Sequence, residues 1–177
     1  MIEKVTIALN DIGIECLPLN GAKGFVDGVQ IKNGKIFYCP IKATPSNILH
    51  EAGHLAIIPN KYRGKAQDNL SAVMSVMAKE IDFSNPDIGD ARAFMQCGDT
   101  EATAWAYAFG KRIGLSEKLI IDDKDYDGSG ATIRIQLKSS HYMGINGLAA
   151  AGFCARPGMH SHKPSNIYPN LSKWLQN

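Results

Sequence analysis

Apolar positions along the first part of the chain recur at helical spacing, change to a hairpin pattern, then return to helical spacing. Ile2, Val5, Ile7, Leu9 and Ile12 predict a short helix that Gly13 ends, and Pro18, Gly21 and Gly24 mark a connection. Phe25 to Lys32 and Lys35 to Cys39 read as two strands around Asn33-Gly34, a dipeptide suited to a type I′ turn because both central residues need positive φ. Pro40 closes the hairpin. Thr44 or Ser46 can cap the next helix, Pro45 fits its first turn, and Pro59-Asn60 stops it. Ile48, Leu49, Ala52, Leu55, Ala56 and Ile58 form its apolar surface.

A basic loop (Lys61, Arg63, Lys65) then leads to a helix over about 68–81, with Leu70, Val73, Met74, Met77 and Ile81 along one stripe. The stripe reads as core and the loop as solvated, since no Gly-rich cradle accompanies its charges. Asn85-Pro86 breaks the chain before a third helical stretch, and Gly98 separates that stretch from a helix over 99–113 ended by Gly114. Residues 122–130 are an acidic, glycine-containing loop. Residues 131–137 alternate weakly, as a strand would, with a helical reading open; Ser139 or Ser140 then caps a helix through Ala151, closed by Gly152. A short terminal helix is expected near Leu171–Leu175. The order of elements predicts one α+β domain over residues 1–177, a small twisted sheet packed on helices.

Composition narrows the classes of function. With 45% apolar and 20% charged residues the chain has the balance of a globular protein, and a net charge of +2 gives no reason to expect nucleic acid or an anionic membrane as partner. No apolar run approaches the roughly 20 residues that span a bilayer, and Asn10-Asp11 interrupts the N-terminal apolar stretch before a signal-peptide core forms. Cys16, Cys39, Cys97 and Cys154 show no Cys-x-x-Cys spacing, so they are expected reduced and buried, in a cytoplasmic protein.

The candidate chemistry lies in the helix after the hairpin, at His50-Glu51-Ala52-Gly53-His54. Imidazoles four residues apart share a helix face and can reach one metal ion, while Glu51 can take a proton from metal-bound water. Zn²⁺ favours neutral His nitrogens and brings the pKa of its water to roughly 7. Three ionisable residues in an otherwise apolar helix are costly without a partner, which favours a metal over a purely structural role. A third protein ligand is needed, and Glu101 is the best candidate. Asp99 can cap its helix, leaving Glu101 in the first turn on a face that continues through Ala104, Trp105 and Ala108.

These residues resemble a zincin metallopeptidase of the gluzincin kind, and the strand–strand–HExxH order with the Glu-Ala-x-x-Trp helix is most similar to the ImmA/IrrE-like group. The resemblance covers roughly residues 25–113 and is specific at His50, Glu51, His54 and Glu101. It implies His50, His54 and Glu101 as Zn²⁺ ligands, Glu51 as general base, a zincin-like fold, and hydrolysis of a peptide bond in a peptide or protein substrate. This chain departs from the group in a long segment between His54 and Glu101 and in Trp105, where an asparagine is commonly expected. In zincins a strand edge near the metal pairs with extended substrate; Lys35–Cys39 is the natural candidate, and His141 or Tyr142 could stabilise the developing oxyanion. The alternative function is a metal-binding regulatory or interaction domain that cleaves nothing.

Two further groups of metal-binding residue types stand apart. Asp123-x-Asp125-x-Asp127-Gly128 reproduces the opening of an EF-hand loop, but Arg134 occupies the position of its bidentate Glu, so a solvated acidic turn is expected. His160-x-His162, between Pro157 and Pro164, reads as a surface loop.

Overall fold

The computed structural model describes residues 1–87, 89–156 and 166–177. His160 and His162 lie outside the described residues. The architecture is α+β: among the described residues, nine α-helices accompany one three-stranded sheet. Helix α1 covers Ile2–Asp11 and β1 covers Cys16–Pro18. The hairpin strands are β2, Val29–Lys32, and β3, Lys35–Tyr38. Both turn residues take the expected left-handed backbone, Asn33 at φ 53° and Gly34 at φ 71°. The first strand is shorter than its apolar pattern suggests, because residues 25–28 are spent on a turn closed by the Lys23–Asp27 bridge.

The sheet order is β1-β3-β2, with β1 parallel and β2 antiparallel to β3. Lys35–Tyr38 is therefore the central strand, hydrogen-bonded on both sides, and offers no free edge to a substrate. The sequence expectation failed because β1, only three residues long and ending in Pro18, carries too little pattern to reveal a second partner for β3. Neither does β2 present an open outer edge: Val29 N–H donates to the Val26 carbonyl at 3.3 Å and Ile31 N–H to Asp68 Oδ1 at 2.6 Å.

Helix α2, Pro45–Ile57, forms as its sequence predicts. The Thr44 hydroxyl caps it by accepting from Asn47 N–H at 3.0 Å, and Pro45, which lacks an N–H, occupies its first turn. Short α3, Asn60–Arg63, replaces the expected solvated basic loop. Arg63 is buried there and donates to the carbonyls of Leu55 at 2.8 Å, Ile58 at 3.2 Å and Gln176 at 2.7 Å. It satisfies the open C-terminal carbonyls of α2 and fastens the end of the chain to them. Helices α4, Ser71–Glu80, and α5, Gly89–Phe94, follow, with Val73 and Met77 of α4 in the core.

Helix α6, Asp99–Arg112, lies against α2 through much of its length. Gly114, at φ 72°, ends it as expected. After α7, Glu117–Ile120, the chain makes a 3₁₀ turn at Lys124–Tyr126 and enters α8, Gly130–Lys138. Residues 131–137 are thus helical; Leu137 packs inward while Ile135 remains 69% exposed. Ser139 and Ser140 end α8 rather than cap the next helix, Ser140 with φ 59°, and α9 is confined to Gly144–Ala150. Residues 171–175 form no helix, because tertiary contacts decide their path. Trp174 packs edge-on against Trp105 and Phe109, and its carbonyl accepts from Trp105 Nε1 at 3.0 Å.

One apolar cluster joins α1, the sheet, α2, α6 and the C-terminal segment. Cys16 and Cys39 are buried, Cys97 and Cys154 half-buried, and all four are free. Among the described residues no helix is long and apolar enough to cross a membrane.

Where α2 meets α6 the close approach is at Gly53, where an added Cβ would clash with the Ala102 carbonyl oxygen and come within 2.8 Å of Ala102 Cα. Backbone atoms of a packed helix cannot yield as a flexible side chain can, so Gly53→Ala must push α2 and α6 apart. We expect it to cost about 2–3 kcal/mol in urea unfolding; a loss below about 0.5 kcal/mol would show that the pair relaxes freely.

Candidate metal centre

His50 and His54 stand one turn apart on α2, and their rings meet edge to face with Nε2 atoms 3.2 Å apart. The close α2–α6 approach sets the first turn of α6 beside them. Asp99 Oδ1 is 3.2 Å from His54 Nε2 and 3.9 Å from His50 Nε2. Among the described residues, this is the group of three metal-ligating side chains that converges.

Glu101 stands elsewhere. Its carboxylate accepts from the Thr100 hydroxyl at 2.8 Å and packs over Gly98 and against Gly147 of α9. Helix phase accounts for the difference: two residues along a helix turn the side chain by about 200°. Asp99 and Thr103, four apart, share the face toward the imidazoles, whereas Glu101 faces α9. Asp99 is not the helix cap either, since Gly98 takes that position and no side-chain cap bond forms.

A second layer of contacts orients His50. The Thr103 hydroxyl lies 3.3 Å and the Tyr126 hydroxyl 3.4 Å from His50 Nδ1, and the two hydroxyls are 3.4 Å apart. With Nδ1 engaged, Nε2 is the nitrogen left to face Asp99 and His54. Tyr126 is held in place by the N-terminus of α2: Thr44 Oγ1 donates to Asp125 Oδ2 at 2.8 Å, and Asp122 N–H to Ser46 Oγ at 3.3 Å. The residues of the EF-hand-like sequence are thus committed separately, Asp125 to α2 and Asp123 to an ion pair with Arg134 at 3.2 Å.

Electrostatics favour the ligand forms. Burial, assisted by the neighbouring His54, lowers the His50 pKa to about 4 against an opposing pull from Asp99, so its imidazole is neutral at neutral pH. The Asp99 carboxyl is held below its usual range, chiefly by its hydrogen bond to His54. Burial raises Glu51 above its ordinary value, with Asp68 and Asp99 adding to the effect and His54 opposing it.

These residues open into a cleft of about 790 Å³, lined also by Phe25, Asp68, Asp125 and Tyr142. Tyr142 joins from the turn before α9, and burial raises its pKa, so its hydroxyl keeps its proton. His141 is exposed and does not line the cleft. Sequence reasoning missed Thr103 and Tyr126 and gave Asp99 a different task. The Asp99-x-x-x-Thr103 spacing was the available signal, but only the direction of packing distinguishes that face from the one carrying Glu101.

Two of the three donor separations match a small tetrahedral cation, and the third is longer. Ligand atoms roughly 2.0–2.1 Å from a zinc ion lie about 3.3 Å from one another; the three separations here are 3.2, 3.2 and 3.9 Å. The donor set of two neutral imidazoles and one carboxylate is also one that zinc accepts.

No protein-family model matches the chain, and no curated protein or solved structure matches it.

Chelator-competition titration with Zn²⁺ checks the ligand set. Asp99→Ala should weaken binding by about 100-fold or more and Thr103→Val by about tenfold, while Glu101→Gln stays within about threefold of the parent. Equal losses for Asp99→Ala and Glu101→Gln would overturn this ligand set.

Proposed function

We propose that the protein is a zincin-like, zinc-dependent hydrolase that cleaves a peptide bond, with His50, His54 and Asp99 as the ligand set and Glu51 as general base. The observation that carries the reading is the convergence of those three donors, 3.2–3.9 Å apart, beside a buried Glu51 in an open cleft. A zinc ion held there supplies a Lewis acid for a carbonyl oxygen and lowers the pKa of water to about 7.

The chain's own groups fit the remaining tasks. The Glu51 carboxylate takes the proton of the attacking water and returns it to the leaving amine, a role helped by burial that moves its pKa toward the working range. Tyr142, protonated and in the same cleft, is the donor available to an oxyanion, in place of the outlying His141. Thr103 and Tyr126 keep the His50 ring turned so that Nε2 faces the site.

Glu51→Gln tests the assignment, because the amide nearly conserves volume and cannot accept the proton. Zinc content should be retained, and zinc-dependent cleavage of a mixed peptide library, followed by mass spectrometry, should fall by about 10²–10⁴-fold. Unchanged cleavage by the variant would refute the general-base role.

A further inference from the structure

The cleft around the metal centre is lined by acidic side chains on more than one element. Glu51, Asp68, Asp99, Asp125 and Asp127 all line it, and among the described residues no Lys or Arg does. Composition does not explain this, since the chain has 19 Lys and Arg against 17 Asp and Glu. A divalent cation held at the ligand set would match Glu51 and Asp99 in charge. Asp68, Asp125 and Asp127 would remain unmatched, and none of the three belongs to an ion pair with a basic side chain among the described residues.

The partners of these carboxylates are neutral. Asp68 accepts from Ile31 N–H at 2.6 Å and from the Gln30 amide at 3.2 Å, and Asp125 accepts from the Thr44 hydroxyl. Such bonds fix where the charge sits without cancelling it. Asp68 is placed beside β2, and Asp125 beside the N-terminal end of α2 with Asp127 two residues further along the same turn, so charge enters the cleft from two separate parts of the fold. A concave site with walls of low dielectric concentrates the field of one sign of charge.

The sheet supplies a second observation. Strand addition, the usual way to hold an extended peptide, needs unpaired backbone groups at an edge. Here β3 is enclosed, the outward N–H groups of Val29 and Ile31 are already satisfied, and on the other edge strand Cys16 N–H donates to Asn10 Oδ1 at 2.8 Å while Pro18 has no N–H. With those edge donors taken, the recognition chemistry the cleft offers is carboxylate together with an apolar rim at Phe25, which is 86% exposed.

We propose that the cleft selects a cationic polypeptide segment, with Lys or Arg side chains near the scissile bond engaging Asp68 and the Asp125–Asp127 turn. The inference rests on the hydrolase reading for where the scissile bond lies, but its charge selectivity is measurable without turnover. The experiment uses full-length, zinc-loaded Glu51→Gln protein and synthetic peptides of about a dozen residues built on one Gly/Ser/Phe framework, differing only in carrying Arg, Gln or Glu pairs.

By calorimetry the Arg peptide should bind at least about tenfold more tightly than the Glu peptide, and the gap should shrink in high salt. Asp127→Asn, at an exposed rim position, should weaken the Arg peptide by about two- to fivefold and leave the Gln peptide unchanged. Equal binding of the Arg and Glu peptides, or tighter binding of the Glu peptide, overturns the proposal. Glu51-dependent cuts in a mixed library without enrichment of Lys or Arg beside them also overturn it, while leaving the hydrolase intact. Arg-peptide preference without cleavage by the parent protein supports the charge selectivity and counts against the hydrolase reading.

Discussion

The contact between α2 and α6 at Gly53 and Ala102 controls the geometry of everything nearby. The absence of a side chain at Gly53 lets the Ala102 backbone lie directly on α2. That distance places Asp99 against His54 and lets Thr103 reach the far nitrogen of His50. Small residues in a helix contact are usually discussed for the packing density they permit. Here the permitted distance also determines which side chains of α6 can converge with those of α2, and a pair separated by one more methyl layer would keep the histidines but lose their carboxylate.

Supports around this contact come from distant parts of the chain. Thr44 both caps α2 and holds Asp125, so the start of the helix that carries both histidines also positions the turn carrying Tyr126. Arg63 closes the other end of α2 by occupying its carbonyls. The helix is therefore fixed at both termini, and His50 and His54 lie on its constrained middle and last turns. Buried polar residues in an otherwise apolar helix have stability costs; in this arrangement each imidazole faces a carboxylate or hydroxyl that offsets part of that cost.

Local chemistry made much of this legible from the residues alone. The Asn33-Gly34 turn, the Thr44 cap with Pro45, and the Gly114 helix end each depend on a few adjacent residues, and each forms as its chemistry requires. The two histidines were readable because a spacing of four places them together on any helix. What could not be read was set by long-range packing. The phase of α6 decides between Asp99 and Glu101, and a single chain does not state which face meets α2. The central position of β3 depends on three residues of β1, and the exclusion of helix at 171–175 depends on the Trp105–Phe109 stack. Arg63 appeared to belong with Lys61 and Lys65, yet its planar donors match three backbone carbonyls while those lysines remain exposed.

The grip of the C-terminal segment has a temporal side. Trp105 meets the Trp174 carbonyl across 69 positions of sequence, and Arg63 meets Gln176 across 113. During synthesis, which proceeds at about 5–20 residues per second, α2 and α6 emerge well before these partners exist. For several seconds the indole of Trp105 and the ring of Phe109 have no Trp174 to cover them, and one carbonyl partner of the Arg63 guanidinium is still missing. The nascent helix pair is thus at its stickiest in that interval, when a chaperone would find its best target and a neighbouring ribosome's product its most hazardous one.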